Sequence, residues 1–169
     1  EFKNALDEKS TSKDWMSFFN DVYNTSSPYM DQEHLKKDGL VPDFAEKKPN
    51  PDFLLIKSNR FHNLIPCLLK NVPSAKVIYL VRHPAATIHS WLSNSTEFPA
   101  DANPLREWRS GTCRKTGVGE FWGFDDWKAV TLQALEMERV YPNRMRILRY
   151  EELTKCTIKE TETLFDFIG

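Results

Sequence analysis

Short apolar runs alternate with segments of helical spacing along the chain. Three apolar runs predict β-strands at residues 53–57, 76–82 and 145–150. Apolar residues three or four positions apart predict helices at residues 14–22, 61–71, 84–92, 124–140 and 157–168. Pro66 must sit in the first turn of its helix or kink it, and Pro84 suits a first helical turn because its missing N–H needs no partner there.

Strands that alternate with helices predict an α/β fold, in which a parallel sheet lies between two layers of helices. Residues 31–51 are polar and rich in proline, so they predict connecting chain. Residues 93–123 predict an irregular insert that is either functional or mobile. We expect residues 1–169 to form one domain, and we expect that domain to be part of a longer protein.

The composition narrows the possible ligands. The 169 residues are 40% hydrophobic and 28% charged, with a net charge of −1. A nearly neutral chain has no global field for nucleic acid or membrane, so an anionic ligand requires a local cluster of Arg and Lys. The three cysteines are widely spaced without a CxxC, which argues against a metal site and leaves one disulfide possible. No apolar run of about 18 residues is present, so we expect no membrane span, and we expect no signal peptide in these residues.

Basic or polar residues stand at the end of every predicted strand. Lys57 and Arg60 follow the first strand, Arg82 ends the second, and Arg149 and Tyr150 end the third. Ligands of open α/β sheets bind beyond the carboxyl ends of the strands, so parallel strands would gather these residues at one edge. The helix after Pro84 would add its free N–H groups. The alternative is that Arg82 and Arg149 merely end their strands in solvent.

The segment KVIYLVRHPAATIHSWL resembles a nucleotide-binding segment of the sulfotransferase family. In that family an apolar strand ends in Arg, a Pro lies two residues on, and a Ser follows eight residues after the Arg; Arg82, Pro84 and Ser90 match. The resemblance implies that Arg82 and Ser90 bind the 3′-phosphate of the sulfate donor PAPS (3′-phosphoadenylyl sulfate). His83 stands where the family usually has Asp or Asn.

A second resemblance lies in YPNRMRILRYEELTKCTIKETETLFDFIG, which is similar to the closing segment of the same family. There a strand leads to Tyr-Glu-Asp-Leu and then to a helix that ends in Phe-Leu-Gly; Glu152 replaces the Asp. The resemblance implies that Tyr150 lies near the adenine of the donor. The two resemblances cover roughly residues 53–92 and 124–169, and the Arg-rich insert that contains Trp108 resembles the carbohydrate sulfotransferase branch.

A third segment, FLLIKSNRFHNLIP, resembles the part of the family that carries a Lys near the transferring sulfuryl group. The resemblance implies a catalytic role for Lys57. Asn59 occupies the place of the catalytic His of cytosolic members, so the general base stays unassigned. Arg60 fits the Lys-x-x-Arg of carbohydrate-type members, and with His62 it is a candidate for substrate binding. The alternative for His62 is a partly buried helix histidine.

The family resemblance implies a P-loop NTPase-like sulfotransferase fold and transfer of a sulfuryl group from PAPS to an acceptor hydroxyl or amine on a carbohydrate, or else a small molecule. No metal and no nucleic acid is implied. Nothing before residue 53 resembles the family's P-loop-like segment, so we expect the chain to lack that loop and the first strand, and to be inactive alone. With Asn59, that absence leaves a non-catalytic nucleotide- or glycan-binding relative as the alternative.

Glycosylation sequons at Asn24 and Asn94 favour the Golgi lumen, with the cytoplasm as the alternative.

Overall fold

The chain divides into two units, with the boundary between Ser58 and Asn59. A computed structural model describes residues 6–28, 31–40 and 52–169. Among these residues, none of the helices combines the length and the apolar content that crossing a bilayer requires.

In the first unit, the predicted N-terminal helix is confirmed as α1 (Ser12–Asn24). Thr11 caps it, because its side chain accepts from the Asp14 N–H while the Asp14 carboxylate accepts from the Thr11 N–H at 2.7 Å. Trp15 is buried on the apolar face. A short helix, α2 (Glu33–Lys37), interrupts the predicted connecting chain, of which residues 41–51 lie outside the described part.

The predicted strand at residues 53–57 is wrong. The described residues 53–58 form no helix or strand, and Phe53 and Leu55 are 65% and 89% exposed. A strand needs a neighbour that pairs with its backbone N–H and C=O groups. In the described part of the chain the sheet consists of two other strands that pair with each other, so an apolar run alone did not make a strand.

The second unit is built around two parallel strands, β1 (Val77–Val81) and β2 (Met145–Arg149). The pairing sets Val77 opposite Met145 and Val81 opposite Arg149, so the two carboxyl ends lie side by side. This parallel arrangement confirms the α/β class, although the described sheet is smaller than the predicted one.

Six α-helices accompany the sheet in residues 59–169, together with two short 3₁₀ helices (His62–Leu64 and Thr112–Arg114). The α-helices are α3 (Ile65–Asn71), α4 (Pro84–Leu92), α5 (Pro104–Ser110), α6 (Gly123–Val140), α7 (Tyr150–Lys155) and α8 (Thr157–Ile168). Pro66 lies in the first turn of α3 and Pro84 in that of α4, as predicted. Helix α5 falls inside the predicted irregular insert, and α7 begins directly where β2 ends.

The core of this unit lies between one face of the sheet and helices α3 and α6. Its buried members are Leu69, Tyr79, Val130, Ala134 and Met145. Alternate residues of a strand face the same side, so Val77 and Val81 pack beside Tyr79 against this cluster. The opposite face is covered unevenly, since Leu80 is 52% exposed whereas its partner Leu148 is 4% exposed.

Two glycines let α5 and α6 approach closely. Gly111, which ends α5 at φ 61°, would bring a Cβ within 2.5 Å of the Trp122 backbone. Gly123, which begins α6 at φ 83°, would bring one against the Arg109 carbonyl. Both backbones occupy the left-handed region that glycine adopts without strain, so the crossing requires glycine on both sides.

Arg144 ties the end of α3 to the start of β2. Its guanidinium donates to the carbonyls of Val72 at 3.0 Å and Leu69 at 2.6 Å, and it lies 4.8 Å from the Tyr141 ring centroid. We expect Arg144→Met to lower the free energy of unfolding by about 1.5–3 kcal/mol, because charged hydrogen bonds to two part-buried carbonyls are lost. Urea denaturation measures the change.

The matched control is Arg139→Met on the surface of α6. Arg139 pairs with Glu136 at 2.7 Å and is mostly exposed, so its removal should cost less than about 0.5 kcal/mol. Equal losses in the two variants would show that Arg144 does not hold α3 to the sheet.

Candidate functional site

The parallel register brings Arg82 and Tyr150 together at the carboxyl ends of the strands. Val81 is paired with Arg149. The residues that follow them, Arg82 and Tyr150, therefore lie side by side. The Arg82 guanidinium carbon lies 5.1 Å from the centroid of the Tyr150 ring, within the range of a cation–π contact. Of the residues predicted to bind a nucleotide, the structure places these two in contact.

Arg82 is the cation at this edge that no carboxylate neutralises in the described part of the chain. Its neighbour Arg149 pairs with Glu152 at 3.1 Å, whereas the Arg82 side chain is exposed. The Arg82 carbonyl, by contrast, accepts from Trp127 Nε1–H at 3.2 Å and from the Thr87 hydroxyl at 3.3 Å. The backbone is therefore held from α6 and α4 while the guanidinium can meet an anion.

His83 links the start of α4 to the start of α7. Its N–H donates to Glu151 Oε1 at 2.8 Å, and its Nδ1 accepts from the Ala85 N–H at 3.2 Å. The imidazole thus caps α4, the task that a side-chain oxygen of Asp or Asn performs in other helices. The His83 N–H bond is the main reason that the pKa of Glu151 is lowered.

Ser90 is exposed on α4, two turns beyond His83. Thr87 precedes it by three residues, and residues three apart are neighbours on a helix surface. Because the Thr87 hydroxyl reaches the Arg82 carbonyl, Ser90 lies next to the side of α4 that meets the end of β1. Its phosphate-binding role stays a prediction.

Arg60 and His62, the predicted substrate-binding residues, both make contacts within the second unit. Arg60 Nη1 lies 3.0 Å from Oε1 of Glu120, whose side chain is only 6% exposed. His62 lies edge-on to Tyr79 and Phe121, at 5.8 and 5.5 Å between ring centroids. Burial lowers the pKa of His62. His62 is therefore a partly buried histidine, as the alternative interpretation describes. The role of Arg60 and His62 in substrate binding stays a prediction.

Lys57 belongs to the first unit, where it is exposed in the segment without regular structure. Its catalytic role also stays a prediction. Within the described residues, no group of three or more His, Cys, Asp or Glu side chains is arranged to hold a metal ion. The three cysteines, Cys67, Cys113 and Cys156, are free.

The sequence analysis missed Trp127 and Glu151. Trp127 lies inside the predicted helix 124–140 with no role assigned to it, and the closing motif gives a role only to Tyr150, the neighbour of Glu151. Once the strands are taken as parallel, the position of Glu151 two residues after β2 matches that of His83 two residues after β1. These matching positions could have predicted the contact of Glu151. No local feature of the sequence predicts the hydrogen bond from Trp127 to Arg82.

Comparison with protein-family models identifies the family of the chain. The model of the Sulfotransferase family matches residues 2–169, almost the whole chain. The chain belongs to the sulfotransferase family. No curated protein and no solved structure gives a significant match to this sulfotransferase. Membership implies sulfuryl transfer, a sulfate donor and an acceptor.

His62 makes the stability of this sulfotransferase depend on pH. Because burial lowers its folded pKa below 6.5, the unfolded chain binds more protons in the interval between the two values. The contribution of His62 to the free energy of unfolding should therefore fall as the pH falls below about 6.5 and level off below the lowered pKa. We expect His62→Phe to reduce this loss, measured by urea denaturation at pH 7.5 and 5.5.

The control is His89→Gln, because His89 is exposed on α4. That variant should keep the pH dependence of the unmodified chain. A His62→Phe variant with an unchanged slope between the two pH values would show that the imidazole is not buried as a neutral group.

Proposed function

We propose that the chain binds the nucleotide sulfate donor PAPS at the ends of β1 and β2 and serves the transfer of its sulfuryl group to a hydroxyl or amine. The observation that carries this proposal is the Arg82 guanidinium, which lies on the Tyr150 ring without a carboxylate partner in the described residues. A guanidinium forks onto phosphate oxygens, and an aromatic ring offers a face to a nucleobase.

In this proposal each residue of the edge has one task. Arg82 carries the charge that holds the 3′-phosphate, and the Ser90 hydroxyl donates a further hydrogen bond to it. Helix α4 adds the positive end of its dipole beside Arg82. Tyr150 lies beside the adenine, and the bond from His83 to Glu151 keeps the starts of α4 and α7 together.

The transfer step needs an in-line acceptor, stabilisation of the equatorial oxygens and acceptance of one proton from the acceptor. Lys57 is proposed to supply the charge stabilisation. The S–O bond to the donor phosphate breaks as the bond to the acceptor oxygen or nitrogen forms, and the desulfonated nucleotide leaves. A carbohydrate is the proposed acceptor, and the Golgi lumen stays the expected compartment on the strength of the two sequons.

Donor binding tests the proposed site directly. We expect Arg82→Ala to weaken binding of adenosine 3′,5′-bisphosphate, the desulfonated donor, by about 2–4 kcal/mol in a calorimetric titration, because an anionic group loses its charged partner. Arg149→Ala is the matched control at the same sheet edge, since Arg149 already pairs with Glu152. Equal losses in the two variants would contradict the assignment.

Sulfate transfer tests the role of Lys57. In an assay of the intact protein with labelled PAPS against glycans and small phenols, we expect Lys57→Ala to lower kcat by about 10²–10³-fold, as loss of one preorganised donor does. Donor affinity should change little, and the control Lys155→Ala, on exposed α7 surface, should keep kcat.

The same assay separates the enzyme from the non-catalytic relative that Asn59 suggests. Donor binding without transfer to any acceptor would favour a nucleotide-binding relative that has lost catalysis. A full kcat in Lys57→Ala would remove Lys57 from the mechanism.

A further inference from the structure

His83 joins the end of β1 to α4 and forms the cap of that helix. Its backbone is not helical, with φ −47° and ψ 131°, yet its carbonyl accepts the first helical bond, from the Thr87 N–H at 3.0 Å. Its side chain accepts a second bond, because Nδ1 lies 3.2 Å from the Ala85 N–H. This bond satisfies one of the N–H groups that the first turn of a helix leaves without a partner.

A histidine cap differs in its chemistry from the usual caps. Ser, Thr, Asp and Asn accept with an oxygen that keeps its lone pairs at neutral pH, whereas a histidine accepts only with an unprotonated ring nitrogen. Because Nδ1 of His83 is the acceptor, the proton of the neutral ring belongs on Nε2. The ring is exposed to solvent, and histidine ordinarily changes its charge between pH 5 and 8. A proton on Nδ1 removes the lone pair that the Ala85 N–H uses.

Two electrostatic effects favour release of the cap once the ring is charged. A cation at the start of a helix is repelled by the positive end of the helix dipole, which here belongs to α4. On α7, the Glu151 carboxylate accepts from the His83 N–H at 2.8 Å, so it lies close enough to attract the imidazolium away from Ala85.

Other charged and titratable residues stand near this cap on the elements that meet there. They are Arg82, Arg149, Tyr150, Glu152, Asp126 and Lys128. Glu152 pairs with Arg149 at 3.1 Å, and Asp126 pairs with Lys115 at 2.7 Å. Among the described residues around the cap, Glu151 is therefore the carboxylate that an imidazolium can approach.

The cap acts on the segment that connects Arg82 to Ser90. Thr87 lies on the same helix, and its hydroxyl donates to the Arg82 carbonyl at 3.3 Å. The Thr87 N–H is itself bonded to His83, so a first turn that frays displaces Thr87 and loosens its bond to Arg82. A capped α4 thus holds the two residues proposed to bind the 3′-phosphate in a fixed relation.

We infer that His83 is a positioning residue whose neutral imidazole keeps the donor site ordered, so that donor binding weakens as the pH falls through the range in which histidine gains a proton. The inference rests on the proposed function, because it concerns the regulation of the same site. His83 acts through α4, and no bond to the donor is assigned to it.

The test is a calorimetric titration with adenosine 3′,5′-bisphosphate at pH 7.5 and 5.5. Phosphate esters gain a proton at about pH 6, so the quantity that matters is the difference between the unmodified chain and a variant. We expect the affinity of the unmodified chain to fall about threefold to tenfold more than that of His83→Asn, as the loss of one cap bond does. Asparagine caps with an amide oxygen that gains no proton in this range.

Two further variants separate the cap from other effects. His83→Ala should bind about threefold to tenfold more weakly than the unmodified chain at pH 7.5, and His83→Asn should regain most of that loss. His89→Gln changes an exposed histidine of α4 outside the site and should keep the pH dependence of the unmodified chain. Circular dichroism at both pH values checks that each variant is folded.

Hydrogen exchange of the Ala85 N–H, measured without nucleotide, keeps the inference separate from the proposed function. Relative to the intrinsic exchange rate at each pH, its protection should fall between pH 7.5 and 5.5 in the unmodified chain and stay constant in His83→Asn. Equal pH dependence of binding in these two chains would overturn the inference. Binding that tightens at pH 5.5 only in the unmodified chain would also overturn it, because the imidazolium would then contact the phosphate. No nucleotide binding at pH 7.5 would overturn the proposed function, and the exchange of Ala85 would still decide whether the cap titrates.

Discussion

The register of two parallel strands is the constraint on which the site depends. Pairing Val81 with Arg149 sets Arg82 beside Tyr150 and lets the His83 N–H reach Glu151. A slip of one residue would turn every side chain of one strand to the opposite face of the sheet. The register that buries Tyr79 is therefore the same register that forms the site. The bonds of Arg144 to α3 and of His83 to α7 hold the two ends of this pair.

The acidic residues near this edge are placed so that they do not neutralise Arg82. Glu152 forms an ion pair with Arg149. Glu151 accepts a hydrogen bond from the His83 backbone N–H instead of pairing with a side-chain cation. A chain with a net charge of −1 thereby keeps one cation available where an anion is expected. Had Glu151 faced the guanidinium, a ligand phosphate would have had to displace an existing charge pair, and part of the binding free energy would have been lost.

Local signals in the sequence predicted α1, α3, α4, α6 and α8, because the causes of these helices are local, whereas α2, α5 and α7 were not predicted. Thr11 caps α1, Pro84 opens α4, and apolar spacing gave α6 within a residue of its observed start. The strand at 53–57 failed because pairing depends on a neighbour that an apolar run does not reveal. Helix α5 was missed although Asn103 and Pro104 form a proper helix start, since the surrounding glycines and prolines indicated loop. The bond from His83 to Glu151 spans 68 residues, and only the sheet register reveals it.

Arg82 is the residue through which the fold positions the proposed donor site. Its side chain is exposed at the proposed donor site, while its carbonyl accepts hydrogen bonds from Trp127 and Thr87. A site spread over separate loops would have to order each part on binding. Here α4 and α6 fix the Arg82 backbone before any ligand arrives, and the arginine that ends a buried strand keeps its side chain exposed.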